Sequence, residues 1–315
     1  MEEQPFFGNS EWFVIVNPNA GAGKARTRWP AIQQALGQSG LQFSYIISVS
    51  IEQTERAIMT KLLKGLRCFL VVGGDGTLNS TINILFNQQN VPTNQLLLCM
   101  LAVGTGNDWV KTHQLPKKYT ELMALMQNPK YAQHDVGLVS IHEPQLVHKR
   151  FFINIAGFGF DARVVEKNDA LPQYLKFGAI TYIFALVSSL VTYKATTIGL
   201  IVDGKKLNSG LFNLNVAICK YAGGGMMFAP DAIANDGLYD VTMIKPLSKF
   251  KVVRNIARLF DGSFVKNKEV SQYKGLTVTV EAAQAFPAEA DGELLPKASK
   301  YQVTLLKHAI NIVVP

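Results

Sequence analysis

The chain has 315 residues, of which 48% are hydrophobic and 17% charged, and its net charge is +8. That length favours two domains with a sizeable core, and the composition excludes a disordered or fibrous chain. The positive balance points to anionic partners such as nucleotide or phospholipid, and the lack of an aromatic-interleaved basic tract argues against nucleic acid.

Cys68, Cys99 and Cys219 lie far apart in apolar runs and read as buried free thiols of a reducing compartment. Neither they nor the five histidines show metal-ligand spacing. The N-terminus MEEQPFFGNSEW has no basic stretch leading into an apolar one, so no signal peptide is read there. The longest apolar segment, residues 177–191, falls short of the ~20 residues of a membrane span and reads as a core or cleft helix. The expected location is the cytoplasm.

In chain order, residues 12–16 form a short apolar strand, 19–23 a loop, and 24–36 a helix that Gly37 and Gly40 can stop. A strand over 41–49, a helix over 54–63 and a strand over 68–72 follow, then a helix over 79–86 and a strand over 95–102. This alternation predicts a parallel sheet with helices on its faces, in which ligands bind at the C-terminal ends of the strands. After about residue 136 the rhythm changes. Segments 151–155, 197–202, 211–218, 239–244, 276–280 and 301–306 are β-branched and aromatic, with turn signals such as Asp203-Gly204 and Asp236-Gly237. This half reads as mainly antiparallel β, with helices near 170–193 and 248–260. The expected domains are 1–135 and 136–306, with a last strand in 307–315 that could return to the first.

Three motifs end strands of the first domain. Residues 17–26, NPNAGAGKAR, resemble a Walker A loop but lack its first glycine and its final Ser or Thr, because Pro18 and Ala25 stand there. The segment reads either as an ordinary turn or as a different phosphate loop. Residues 73–77, GGDGT, follow an apolar strand and open a helix. A carboxylate among phosphates makes sense where a divalent cation bridges them, since Mg²⁺ is held by one or two carboxylates plus substrate phosphates. The alternative is a tight turn with an Asp cap. Residues 104–109, GTGNDW, repeat the arrangement, with simple N-capping as the alternative.

Taken together, NPNAGAGK, GGDGTLN and GTGNDW resemble the diacylglycerol kinase catalytic domain family, which includes bacterial soluble lipid kinases and the sphingosine kinases. FGFDARV at 158–164, GGGMMFAPDAIANDGLYDV at 223–241 and DGE at 291–293 extend the resemblance over nearly the whole chain. It implies an α/β fold, with a parallel-sheet nucleotide domain like that of NAD kinases and phosphofructokinases. A β-sandwich-like domain would follow it. It implies that Asn17, Pro18, Asn19, Ala20, Gly21, Gly73, Gly74, Asp75, Gly76, Thr77, Leu78, Asn79 and Thr105 contact ATP, with Asp75 serving the Mg²⁺–phosphate network. It also implies that DGE supplies the catalytic base. Asp291 and Glu293 are two apart, so on an extended strand both face one side. Glu293 is favoured as base over Asp291. Asp236, with the carbonyls of Ile233 and Leu238, would bind a structural Mg²⁺, against an ordinary β-turn as the alternative.

The activity so implied is ATP- and Mg²⁺-dependent phosphorylation of a lipid hydroxyl, diacylglycerol to phosphatidic acid first. Phosphatidylglycerol or a sphingoid base are other acceptors. A NAD-kinase-like phosphotransferase and a non-catalytic nucleotide or lipid binder are the rivals. Residues 249–260, KFKVVRNIARLF, are amphipathic: Lys251, Arg254 and Arg258 share one face, and Val253, Ile256, Ala257 and Phe260 another. Residues 245–274 hold eight Lys/Arg against Asp261 and Glu269, which suits peripheral, transient docking on an anionic membrane. A homodimer is left open.

Overall fold

The computed structural model describes residues 7, 10–104, 106–170, 186–190, 193 and 196–315. The chain divides into two compact units, 1–134 with 308–315, and 135–307.

The first unit follows the alternation read from the sequence. Its elements are β1 (Trp12–Val16), α1 (Lys24–Gln38), β2 (Phe43–Ile47), α2 (Ile51–Leu63), β3 (Cys68–Gly73), α3 (Asp75–Asn87), β4 (Leu97–Ala102), α4 (Asp108–Thr112) and α5 (Tyr119–Gln127). β1 and β3 are buried at every residue, as strands covered on both faces must be, and their sequences are accordingly continuous apolar runs. β2 is the edge strand and is half-exposed. α2 buries Thr54, Ile58 and Leu62, one residue per turn, and starts at Ser50, whose hydroxyl accepts Gln53 N–H. α1 runs past Gly37, a stop signal in the sequence, to Gln38; the chain leaves it through Gly40 at φ +77°.

The second unit begins within β5 (Lys130–Glu143) and continues through β6 (Leu146–Phe152), β7 (Ile155–Gly159), α6 (Phe160–Asp169), β8 (Thr196–Val202), β9 (Lys205–Leu211) and β10 (Asn213–Ala217). Then come β11 (Tyr221–Ala222), β12 (Met226–Met227), β13 (Tyr239–Ile244), α7 (Lys249–Phe260), β14 (Val270–Gly275), β15 (Thr277–Phe286), β16 (Ala288–Ala290), β17 (Glu293–Leu294) and β18 (Ala298–Val314). One sheet runs β14-β13-β10-β7-β16-β17, and the other joins β6, β5, β18, β15, β8 and β9. The two sheets meet where Phe158 of β7 packs edge-on against Tyr301 of β18, ring centres 5.5 Å apart.

β18 is 17 residues long and passes from the second unit into the first at His308, which has φ +50°. Its end pairs in parallel with β4, Asn311 opposite Leu97 and Ile312 opposite Leu98. The first unit's sheet therefore reads β2-β1-β3-β4-β18, all parallel. Asn311 Nδ2 fastens this end to the carbonyls of Asn94 and Leu96 at 2.6 and 3.1 Å.

Two expectations for the second half change. Residues 151–155 are not one strand: the chain breaks at 153–154 between β6 and β7. The helix near 170–193 lies mostly outside the described residues, of which 186–190 are helical. Among the described residues no helix is long and apolar enough to cross a membrane.

Candidate active site

In the first unit the parallel registers set Val16, Ile47 and Val72 side by side, and Gly73 beside Ala102. The loops after β1, β3 and β4 consequently leave the same end of the sheet. Gly21, Ala22 and Gly23 all have positive φ, which turns the first loop back on itself. A Cβ on Gly21 would lie 2.1 Å from the Val103 carbonyl oxygen, and one on Gly104 would lie 2.8 Å from Gly74 Cα. Only glycine lets these backbones approach so closely. Asn17 Nδ2 donates to Thr77 Oγ1 at 2.9 Å, and Val103 N–H donates to Gly73 O at 2.8 Å. Three motifs far apart in sequence thus form one surface of backbone and short polar side chains.

α3 starts one residue after β3, with Gly74 extended at φ −116° as its N-cap. Its first-turn N–H groups lie at the strand end, where such groups bind anions. Asp75 is the first helical residue and is half-buried. Its Oδ2 accepts Asp108 N–H at 3.2 Å, and its Oδ1 accepts Trp109 N–H at 3.3 Å. The carboxylate therefore ties the second loop to the start of α4. Asp108 is buried and pairs with Lys111 at 3.3 Å. The fully buried Trp109 donates its indole N–H to His134 at 3.3 Å. Burial, with His134 beside it, holds His113 well below the ordinary imidazole value.

Of the residues expected at the nucleotide, Asn17, Pro18, Asn19, Ala20, Gly21, Gly73, Gly74, Asp75, Gly76 and Thr77 belong to this loop cluster. Leu78 and Asn79 do not reach it with their side chains. Both are fully buried, and Asn79 Oδ1 and O accept Asn83 Nδ2. They belong to the face of α3 that packs inward. Thr105 lies outside the described residues. Asp75 offers hard oxygen ligands beside backbone N–H groups, a donor set that fits Mg²⁺ held together with phosphates.

In the second unit Asp291 and Glu293 do not share one extended strand: Asp291 is in a turn and Glu293 opens β17. Asp291 (φ +51°) and Gly292 (φ +82°) form the two-residue turn between β16 and β17, with Ala290 paired to Glu293. Asp-Gly favours this turn because both central residues need positive φ. The Asp291 carboxylate accepts three successive N–H groups at the break after β6: Ile153 at 2.8 Å, Asn154 at 2.9 Å and Ile155 at 3.0 Å. Glu293 is exposed.

Sequence reading missed Glu289, two residues before Asp291 and only 4% exposed. A Cβ on Gly157 would lie 2.4 Å from Glu289 Oε1 and 2.8 Å from Asp161 Oδ2, so both acids sit over that one glycine. Glu289 Oε2 accepts Gly292 N–H at 2.6 Å. Burial, and then Asp161, raise the Glu289 carboxyl well above its ordinary value. Gly157 and Gly159 of GFGFD, with Asp161 just after them, were the available signal.

At the expected structural cation site, Asp236 Oδ1 accepts Leu238 N–H at 3.0 Å and its Oδ2 meets Lys274 Nζ at 3.2 Å. Lys274 also pairs with the buried Asp240 at 3.4 Å. The ammonium already supplies the positive charge between these carboxylates, so the set does not fit a cation as it stands.

The three cysteines are free and buried, and burial pushes Cys68 and Cys99 up to about 12, where neither forms a thiolate at neutral pH.

Comparison with known proteins matches residues 11–139 to the diacylglycerol kinase catalytic domain. Residues 154–314 match the YegS C-terminal NAD kinase beta sandwich-like domain. A diacylglycerol kinase of Bacillus subtilis is 25% identical over 305 residues, covering 96% of this chain and 95% of its own. A probable YegS-like lipid kinase of Shewanella frigidimarina is 26% identical over 290 residues, covering 89% and 87%. Among solved structures, a putative diacylglycerol kinase from Bacillus anthracis superposes with a TM-score of 0.78 at 20% identity, covering 100% of this chain and 98% of its own. Yeast NADH kinase superposes with a TM-score of 0.55 at 10% identity, covering 97% and 84%, a likeness of fold alone. The two matches take in both halves of the chain, so it belongs to the diacylglycerol kinase catalytic domain family, in the form with a YegS-type β-sandwich domain, and is a kinase.

Proposed function

We propose that this kinase transfers the terminal phosphoryl group of ATP, with Mg²⁺, to a hydroxyl of a membrane lipid, diacylglycerol first, yielding phosphatidic acid. The observation that carries this reading is the meeting of three glycine-rich turns around Asp75 at one end of the parallel sheet. The names of the relatives supply the class of acceptor.

Phosphoryl transfer depends mainly on positioning and electrostatics. The backbone of Asn17–Gly21 and of Gly73–Thr77 would cradle the phosphates, and Asp75 would hold the cation. Held by Asp75, Mg²⁺ would offset the negative charge that develops on the phosphates. Glu293 is the group we assign to accept the proton of the lipid hydroxyl. Asp291 is a positioning residue: it anchors the hairpin that carries Glu293. The enzyme works in the cytoplasm and visits the membrane surface transiently. α7 supports that visit, because its outward side carries Phe250 (75% exposed) and Val253 (49%) beside Lys251, Arg254 and Arg258.

The test is incubation of the pure protein with labelled ATP, Mg²⁺ and a total lipid extract in mixed micelles. A labelled phosphatidic acid is expected; label in phosphatidylglycerol or a sphingoid base moves the acceptor, and no labelled lipid overturns the reading. Asp75→Asn keeps one acceptor for the α4 N–H groups, unlike Asp75→Ala, and is expected to lower transfer by about 1000-fold with the melting temperature nearly unchanged.

A further inference from the structure

Glu293 stands on a very short hairpin. β16 has three residues and β17 two, with Asp291 and Gly292 as the turn between them. So short a ladder holds its place through side-chain ties. The Asp291 carboxylate supplies one, to the break after β6. Glu289 supplies the other: its Oε2 accepts Gly292 N–H at 2.6 Å, one residue before Glu293.

An acid is an unexpected choice for this second tie. Glu289 pairs with Gly157 of β7 in the ladder, and its carboxyl enters the place that the missing side chain leaves open. Asp161, in the first turn of α6 and also buried, enters the same place. The charges that bear on Glu289 are thus Asp161 from α6 and Asp291 from the turn, both negative. Further along α6, Arg163 and Glu166 pair with one another. β10 sets the neutral, fully buried Asn215 on the other side of Gly157, and β17 brings the exposed Glu293. β6 also packs against β16, and it carries His148, Lys149 and Arg150 ahead of its buried end, Phe151 and Phe152.

Two carboxyl groups over one glycine, away from water, do not both ionise without strong repulsion. Burial and Asp161 accordingly raise the Glu289 carboxyl well above its ordinary value. An ionised Glu289 is relieved by moving toward water. The element that yields most readily is the hairpin, because both residues of β17 are exposed whereas β7 is buried throughout.

We propose that Glu289 is a positioning residue for the transfer step: holding a proton beside Asp161, it fastens Gly292 and so sets the place of Glu293, and on ionising it releases the hairpin. The inference rests on the reading of Glu293 as base in the lipid-kinase proposal above. It makes transfer fall on the alkaline side through a residue that acts only by way of its hairpin.

The test follows transfer in mixed micelles across pH with the full-length protein. Wild type is expected to lose kcat as pH rises from about 7 to about 9, with KM for ATP unchanged. Glu289→Gln keeps an acceptor for Gly292 and has no proton to lose, so its kcat is expected to stay level over that range. Glu289→Ala, checked for a cooperative melt, is expected to lower kcat by about tenfold or more at neutral pH. Hydrogen exchange by mass spectrometry, without ATP or lipid, reads the hairpin directly. The peptide containing Gly292 is expected to exchange faster in wild type than in Glu289→Gln at about pH 9, and equally in both at about pH 6. Equal exchange at both pH values, or an alkaline loss of kcat in Glu289→Gln as large as in wild type, overturns the proposal. Should exchange follow Glu289 while no lipid is phosphorylated, the hairpin tie stands and the lipid-kinase reading falls. Lipid phosphorylation with the same pH profile in both proteins keeps the lipid-kinase reading and removes Glu289 from the transfer step.

Discussion

Three backbone N–H groups end on the Asp291 carboxylate, while Glu293 two positions on faces solvent. This separates two roles that the DGE motif leaves merged. Asp291→Ala strands those donors at a partly buried break and is expected to lower stability by about 2–3 kcal/mol in urea unfolding. Glu293→Gln should leave the unfolding midpoint in place and abolish transfer. If Asp291→Ala unfolds at the wild-type midpoint, the anchoring role is wrong. Glu289 carries a pH signature. Its carboxyl is raised above the ordinary value of 4.5 by burial and by Asp161, so the fold keeps a proton that the unfolded chain releases. Stability from this group is whole below pH 4.5 and is lost as pH rises through the folded value. Glu289→Gln is neutral throughout. It is expected to melt higher than wild type at about pH 8 and alike at about pH 4, and equal melting at both would remove the buried acid from the account.

Among the elements, α7 departs most from its sequence reading. Val253, Ile256, Ala257 and Phe260 share a helical face in projection, but Val252, Asn255, Ile256 and Leu259 turn inward. Phe250, Val253, Ala257 and Phe260 form a second apolar stripe on the exposed side, next to Lys251, Arg254 and Arg258. A helix with two apolar sides cannot be assigned from periodicity alone, because only the packing decides which side meets the core. Arg254→Glu is expected to weaken sedimentation with phosphatidylglycerol vesicles by about fivefold or more at low salt, and Phe250→Ser to weaken it further. Sedimentation of both variants equal to that of the wild type would remove α7 from the membrane contact. The start of α3 makes a related point. GGDGT reads as a loop before a helix at 79, yet the helix begins at Asp75, because Gly74 in extended conformation lets the chain pass from strand to helix without a loop.

At the scale of the molecule, the chain's last residues complete the first unit. Ile310, Ile312 and Val313 are buried beside β4, and burying each such side chain contributes ~2 kcal/mol. Their loss is comparable to a domain's whole stability. Truncation after residue 307 is therefore expected to abolish cooperative unfolding of the first unit by circular dichroism; a retained cooperative melt would show that the sheet closes without this strand.

The α/β class of the first unit and the antiparallel character of the second were legible in the residues, because hydrophobic period and turn chemistry are local properties. The glycine-rich turns were legible for the same reason, since glycine is demanded locally where backbones must meet. Gly157 beneath Glu289 and Asp161, the three amides on Asp291, and Lys274 between Asp236 and Asp240 were not. Each joins residues tens of positions or more apart, and sequence spacing carries no information about such distances. Sequence by itself determined that three glycine-rich turns end strands of a parallel sheet, because glycine and hydrophobic period are read locally. Only the tertiary structure decided which acids are buried, anchored or exposed, because that depends on what the rest of the chain packs around them.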